Sequence, residues 1–264
     1  MAIETYRTFY KADGVTEFLG VGTNSYVGIV DDTTVLKYPR TPDDKTALAI
    51  LRLEARMIES VGPHKHIINL KGQTKDGLLL ERAHFGSIAQ YLKNNDPPLQ
   101  QRLDWARQAT EAVATVHRAR VLHRDISVNN LLLDAKLNVK LCDFQGRLLG
   151  PDGNVEEDGF SVENIKSFMP RANLDLDHAD WKTEIFALGS AFYYIMEGNE
   201  PFPNLDPFND EDEIVERFKS GQFPELEFPL MNRVVHKCWV GKYNSADAVL
   251  RDLESKDECL VAPV

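Results

Sequence analysis

Cysteine is scarce in this chain: Cys142, Cys238 and Cys259 are the three among 264 residues, far apart and odd in number. That excludes a disulfide framework and the paired spacing of a zinc site, and it suits a reducing compartment. Long apolar runs are missing too. No stretch approaches the roughly 18 residues of a membrane span, so no membrane partner is expected. Basic residues fall short of acidic ones, 30 Lys plus Arg against 41 Asp plus Glu, for a net charge of -11. A protein that binds nucleic acid by neutralising phosphates carries the opposite balance, so no nucleic-acid partner is expected either. Repeats and low-complexity tracts are absent. With 43% hydrophobic and 27% charged residues the composition is that of a globular domain, not of a disordered or fibrous chain. The opening MAIETYRTFYKADG has no apolar leader and the closing ECLVAPV no lipidation or retention signal. A cytoplasmic address follows as the expectation, with the nucleus left open.

What is present divides into two regions. Short β-rich runs near 15–22, 25–30, 33–38, 67–72 and 77–82 surround one long helical pattern near 43–61, and Asp31-Asp32 reads as a two-residue hairpin turn. From about residue 86 the pattern becomes helical, with Leu103, Ala106, Thr110, Val113 and Val116 along one face. The stretch Thr183 to Met196 is apolar nearly all round and predicts a central helix, ended by Gly198 and Pro201. Asp210 to Glu213 reads as the acidic first turn of a further helix reaching about Ser220.

Gly20 and Gly22 lie between two strand-like segments in LGVGTNSYVGIV, where glycine lets backbone amides approach phosphate oxygens. Downstream, strand alternation puts Lys37 on the face of Val35 and opposite Leu36. In the next helix Glu54 interrupts an apolar stripe made by Ala47, Ile50, Leu51, Met57, Ile58 and Val61. A carboxylate on a buried stripe is costly unless paired, so a Lys37 to Glu54 ion pair is expected.

The most informative segments are VLHRDISVNNLLL (121–133) and VKLCDFQG (139–146). Asp125, Asn130 and Asp143 there offer oxygen groups on short loops beside apolar runs, an inventory for hard Mg²⁺ ions and a hydroxyl nucleophile. In the order glycine turn, lysine, glutamate, HRD loop and D-F motif, the chain resembles the protein kinase family, matching H-R-D-x-x-x-x-N at every fixed position. SFMPR (167–171), FALG (186–189), PF (201–202) and KCW (237–239) resemble large-lobe landmarks of that family, and the wording is similar to small kinase-like proteins of filamentous fungi.

The resemblance implies an α+β, two-lobed fold over 1–264: a small antiparallel β-sheet lobe with one helix and the hinge (about 1–83), then a larger, mainly α-helical lobe (about 84–264). It implies ATP with Mg²⁺, or Mn²⁺ in its place, and a protein substrate whose serine or threonine hydroxyl receives the γ-phosphoryl group. Asp125 is the implied proton acceptor, Asn130 and Asp143 the metal ligands, and Lys37, aligned by Glu54, the phosphate contact beneath Gly20 and Gly22. Val27, Val35 and Leu132 would sandwich adenine, with Leu80 as gatekeeper and the hinge backbone from Glu81 to Ala83 bonding its edge.

Several positions depart from the family pattern. Ser25 stands at the third glycine of the Gly-rich loop, Gln145 at the glycine of D-F-G with Gly146 following, and Ser127 at the catalytic-loop lysine. Gly146 is expected to carry the motif's backbone freedom, displaced by one residue. Met169-Pro170-Arg171 replaces A-P-E, Tyr243 falls where the partner arginine is expected, and Glu184 replaces the aspartate that opens the central helix. These departures keep two alternatives open, an ATP-binding scaffold and a small-molecule phosphotransferase of the same fold. In the family Arg124 meets a phosphate of the activation segment. Here Glu156, Glu157 and Asp158 are expected to supply a fixed carboxylate in its place.

Overall fold

The computed structural model describes residues 10–159, 161–171 and 178–255; Cys259 lies outside them. The first part is a five-stranded sheet in the order β1-β2-β3-β5-β4, each neighbour antiparallel. Its strands are β1 (Glu17–Val21), β2 (Ser25–Asp31), β3 (Thr34–Pro39), β4 (Leu70–Gln73) and β5 (Leu78–Glu81). The β2–β3 turn is Asp32-Thr33, one residue later than expected. Asp31 still pairs with Thr34, and its side chain accepts from the Thr33 N–H (2.8 Å) and hydroxyl (2.9 Å), so a turn-type residue ends the strand and caps the turn.

Between β3 and β4 runs α1 (Lys45–Val61), whose N-cap Asp44 accepts from the amides of Thr46 and Ala47, and which stops at Gly62 with φ 76°. The expected strand at 67–72 begins only at Leu70. Ile67 and Ile68 are extended but belong to the other part of the molecule: Ile68 donates to the Leu141 carbonyl (2.9 Å) and Leu141 to that of His66 (2.9 Å). Periodicity cannot say which strand supplies the partner.

The second part is mainly helical: α2 (Ile88–Leu92), α3 (Leu99–Arg118), α4 (Trp181–Glu197), α5 (Glu211–Lys219), α6 (Pro229–Trp239) and α7 (Ala246–Glu254). Short strands punctuate it: β6 (Val121–Leu122), β7 (Leu131–Leu133), β8 (Val139–Leu141), β9 (Arg147–Leu149) and β10 (Val155–Asp158). α4 is the hub. It packs on α3 and α6, and Ile185, Phe186, Leu188, Phe192 and Ile195 are almost wholly buried. Each such side chain contributes about 1.5–3 kcal/mol by leaving water, so the loops on top of α4 stand on a closely packed core. The Asp180 and Thr183 capping box opens α4, and Gly198 in the left-handed conformation closes it.

Candidate active site

Cross-strand register builds the upper wall of the cleft. Gly20 pairs with Val27, Val27 with Lys37, and Val35 with Leu80, so Val27, Val35, Lys37 and Leu80 share one face of the sheet. The opposite face holds Leu36 and Tyr38 in a separate small core with Ala12 and Val15. Val27 and Leu132 are partly buried hydrophobics at the edge of the main core. A side chain at Gly20 would meet nothing within 4 Å, whereas at Gly22 it would meet the Ser25 hydroxyl at 3.0 Å. Past β5 the amides of Glu81 and Arg82 are taken by the carbonyls of Asn69 and Thr33. Among the described residues no backbone carbonyl accepts from the Ala83 N–H.

Lys37 is the junction of the two parts. Its Nζ donates to Glu54 Oε2 at 2.6 Å and to Asp143 Oδ1 at 2.5 Å, with its own side chain 8% exposed and that of Glu54 fully buried. The expected ion pair is therefore present, and a second carboxylate, 106 residues away in sequence, joins it. Burial would push the Lys37 ammonium down, but Asp143 and Glu54 outweigh it and hold it above the ordinary lysine range. Burial also opposes ionisation of Asp143, yet Lys37 keeps that carboxyl below the usual aspartate range. For Glu54 burial wins over the pull of Lys37 and raises the carboxyl.

The loop from His123 to Asn130 is held by its own side chains and by α4. Asn130 donates to the Asp125 carbonyl (2.9 Å) and to Asp125 Oδ2 (2.7 Å), so the two residues face one another. Burial raises the Asp125 carboxyl, partly countered by His123 and the Asn130 amide. Glu184 accepts from the Arg124 N–H (2.5 Å) and meets His117 Nε2 at 2.9 Å, so the glutamate at the start of α4 carries the loop backbone from below. Arg124 and Asp143 both adopt left-handed backbone, φ 62° and 65°. For non-glycine residues that conformation is uncommon, and here the surrounding bonds hold it at the two residues that frame the cleft.

Gln145 donates its side-chain amide to Asp143 Oδ1 (2.8 Å) and lies near enough to Glu54 to pull that carboxyl down. Gly146 differs from expectation. Its φ is not positive, and a Cβ there would sit 1.8 Å from the Leu122 carbonyl oxygen. Glycine is required at 146 because β6 passes against the backbone, not because the motif needs freedom to swing.

The substituted pair in the lower frame is rewired. Arg171 bonds Glu163, both side chains under 10% exposed, and lies over the Phe168 ring at 4.4 Å. Tyr243 donates to Asp252, which also takes Lys237 at 2.7 Å. Neither position keeps the family's charge, and each has a partner.

Sequence reasoning missed Arg56 and Arg147. Arg147 donates to Asp158 Oδ2 (2.6 Å), and Arg56 reaches Glu157 from α1. The turn-forming PDGN at 151–154 is the sequence signal for the hairpin of β9 and β10 that brings Arg147 to Asp158. A cleft of about 800 Å³ between the end of α1 and β4, lined by Ile58, His64, Lys71 and Lys140 among others, contains neither Lys37 nor Asp143. Its lining carries Glu59 and the Lys140–Glu81 pair but neither Glu54 nor Asp125, so the chemistry is assigned to the space around Lys37.

The arrangement has room for a polyanion beside a lysine and a carboxylate that could face a hydroxyl; the chain is also similar to known proteins. Fer-related kinase 1 of Caenorhabditis elegans is 28% identical over 192 residues, 70% of this chain and 48% of that protein. Serine/threonine-protein kinase STE11 of Saccharomyces cerevisiae is 25% identical over 185 residues, 67% of this chain and 26% of that protein. Wall-associated receptor kinase-like 21 of Arabidopsis thaliana is 26% identical over 273 residues, 94% of this chain and 44% of that protein. The chain thus spans about a quarter to a half of the length of these relatives. The protein kinase domain model matches residues 15–251. With nearly the whole chain matched, and the lysine, glutamate and two aspartates of the family motifs gathered in one cleft, the chain belongs to the protein kinase domain family.

Proposed function

We propose that this chain transfers the γ-phosphoryl group of MgATP to a serine or threonine hydroxyl of a protein. The observation that carries the reading is Lys37 bonded at once to Glu54 and Asp143, beside the Asp125 and Asn130 pair. Val27, Val35, Leu80 and Leu132 form the apolar slot for adenine, and the Glu81 carbonyl and Ala83 N–H bond its edge. Lys37 exchanges Asp143 for the α/β-phosphates when nucleotide enters, and the turn carrying Gly20 and Gly22 closes over them.

Asn130 and Asp143 would hold the metal, whose remaining ligands would come from phosphate and water. Mg²⁺, or Mn²⁺ in its place, would supply positive charge against the phosphates. Asp125 accepts the hydroxyl proton as the substrate oxygen bonds to phosphorus and the bond to the ADP oxygen breaks, so ADP leaves with its negative charge.

Relatives named as serine/threonine kinases favour those hydroxyls over tyrosine. The likeness in wording to fungal kinase-like proteins and a cytoplasmic address belong to the same reading. Cys142 and Cys238 are free thiols, as in a reducing compartment, and no described helix is long and apolar enough to cross a membrane. Ser127 and Gln145 favour a second reading, a nucleotide-binding scaffold without transfer. Turnover of MgATP with a serine/threonine peptide library separates the two. Asp125→Asn is expected to lower kcat by about 10²–10⁴ while MgATP still raises the melting temperature. Equal turnover in wild type and variant overturns the assignment.

A further inference from the structure

Three guanidinium groups, each on a different element, converge on two adjacent carboxylates. Arg124 of the catalytic loop, its side chain 5% exposed, donates to Asp158 Oδ1 at 3.3 Å, and Arg147 of β9 donates to Asp158 Oδ2 at 2.6 Å. Arg56 of α1 grips the neighbouring Glu157 with Nε and Nη2, at 2.8, 2.9 and 2.5 Å. Arg56 lies two residues beyond Glu54, so the helix that orients Lys37 is tied to β10.

The segment after β10 is seated as firmly. Gly159 donates to the Gly146 carbonyl and Ser161 to the Gln145 carbonyl, and a Cβ on Gly159 would meet the Gln145 oxygen at 2.3 Å. The backbone at Gly159 and at Ser161 therefore lies directly against Gln145 and Gly146, next to Asp143.

We propose that Glu157 and Asp158 are a built-in substitute for an activating phosphate, so that the segment is ordered and α1 is held inward in the chain as synthesised. A phosphorylated side chain carries about -1.5 to -2 charge at neutral pH, and an arginine cluster orders around it. Two carboxylates carry the same charge with no modifying enzyme.

Few hydroxyls are left to modify. Between Asp143 and Pro170 the only ones are Ser161 and Ser167. Ser167 is 7% exposed and donates its hydroxyl to the Asn164 carbonyl, so only Ser161 is open to another kinase. Asp158 does most of the ordering because it meets two guanidinium side chains that are themselves only 5% and 13% exposed. Arg56, half exposed, adds less, as surface pairs do.

This inference deepens the kinase reading and rests on it only for the turnover readout. The test uses full-length protein made with a co-expressed phosphatase and shown by intact mass to carry no phosphate. Hydrogen exchange over 147–158 and α1 is compared between wild type and the Glu157→Gln, Asp158→Asn double variant, followed by kcat and KM for MgATP. Wild type is expected to be protected and to turn over without a lag. The double variant is expected to exchange those amides about tenfold faster or more, and to lose about 10- to 100-fold in kcat with little change in KM, the scale of one or two charge-assisted hydrogen bonds.

If both proteins fold and exchange alike, or if wild type becomes protected and active only after Ser161 is phosphorylated, the proposal is overturned. A wild type that never transfers phosphate, yet shows the exchange difference, removes the kinase reading and leaves the substitution of carboxylate for phosphate standing.

Discussion

In the cleft, Lys37 faces two carboxylates that come from elements far apart in sequence, Glu54 on α1 and Asp143 after β8. Beneath the catalytic loop Arg171 meets Glu163, while Tyr243 and Lys237 share Asp252. Both regions bury polar groups, but only the first keeps the residues that the family motifs lead one to expect. The difference follows from what each must touch. Groups proposed to contact phosphate or metal are limited by the ligand's chemistry, whereas a structural ion pair has only to be satisfied. Loss of one buried partner is severe, and replacement of both is close to neutral.

The largest effect expected in the lower frame comes from breaking its pair singly. Arg171→Met leaves the 8% exposed Glu163 side chain without its guanidinium and should lower stability in urea by about 3–5 kcal/mol. The Glu163→Leu, Arg171→Met double variant should recover most of that loss. A double variant as unstable as the single one would show that the charges themselves are required.

In the cleft the expected effect is on rate and not on folding. Lys37→Met should reduce kcat/KM by about 10²–10³, the cost of removing one preorganised donor, and Glu54→Gln by less, because it acts through the lysine. The double variant should be little worse than Lys37→Met, since groups working as one unit are not additive. Additive losses would break the comparison by showing that Glu54 acts independently.

A moderate effect is expected from pH. Asp125 must be deprotonated to accept a proton, and burial raises its carboxyl. It therefore takes up a proton at higher pH than an exposed aspartate at about 3.9, and activity is lost sooner on acidification. The acid limb of kcat/KM, followed while circular dichroism shows the protein folded, should lie above that value. A limb at or below it would place Asp125 outside the reaction.

The smallest effect concerns substrate choice. In basophilic relatives, carboxylates at the positions of Ser87 and Asn129 hold an arginine upstream of the acceptor. Here the Ser87 hydroxyl is used to cap α2, and Asn129 is neutral. Peptides with arginine two or three residues before the acceptor should gain only a few-fold, from the diffuse field of the acidic protein, and lose that by roughly 0.2 M salt, where the screening length is under about 10 Å. Strong selection that survives salt would reveal a carboxylate in the groove.

How far the sequence could be read depended on the range of the interaction. Lys37 and Glu54 were legible because each is a charge at an apolar position of a regular element, and period alone exposes that conflict. Asp125, Asn130 and Asp143 stood out through motif spacing. The turn after β2 was displaced because aspartate serves equally in a turn and as its cap. Ile67 and Ile68 looked like sheet residues and are extended, but their partner is Leu141. Arg56 gives no sign in the sequence and Arg147 only through the turn at 151–154, since an arginine on a helix or strand surface looks solvated until the opposing carboxylate is brought to it.

The double attachment of the β7–β8 hairpin has a mechanical consequence. On one side Ile68 and Leu141 are bonded; on the other, Phe85 donates to Leu133, and Leu133 to Gly86. These are the backbone links; the Lys37–Asp143 and Arg56–Glu157 ion pairs join the same two parts through side chains. If those pairs open while the backbone links hold, displacement grows with distance from the line between them, as at the rim of a turning door. The turn near Thr23 is then expected to move more than Asp143, two residues past Leu141. Paired distance probes on apo and MgATP-loaded protein should see a large change from residue 23 and almost none from residue 67; comparable changes at both would mean that the tethers slip. Nucleotide entry as proposed above takes Lys37 from Asp143, and so is expected to free that rotation.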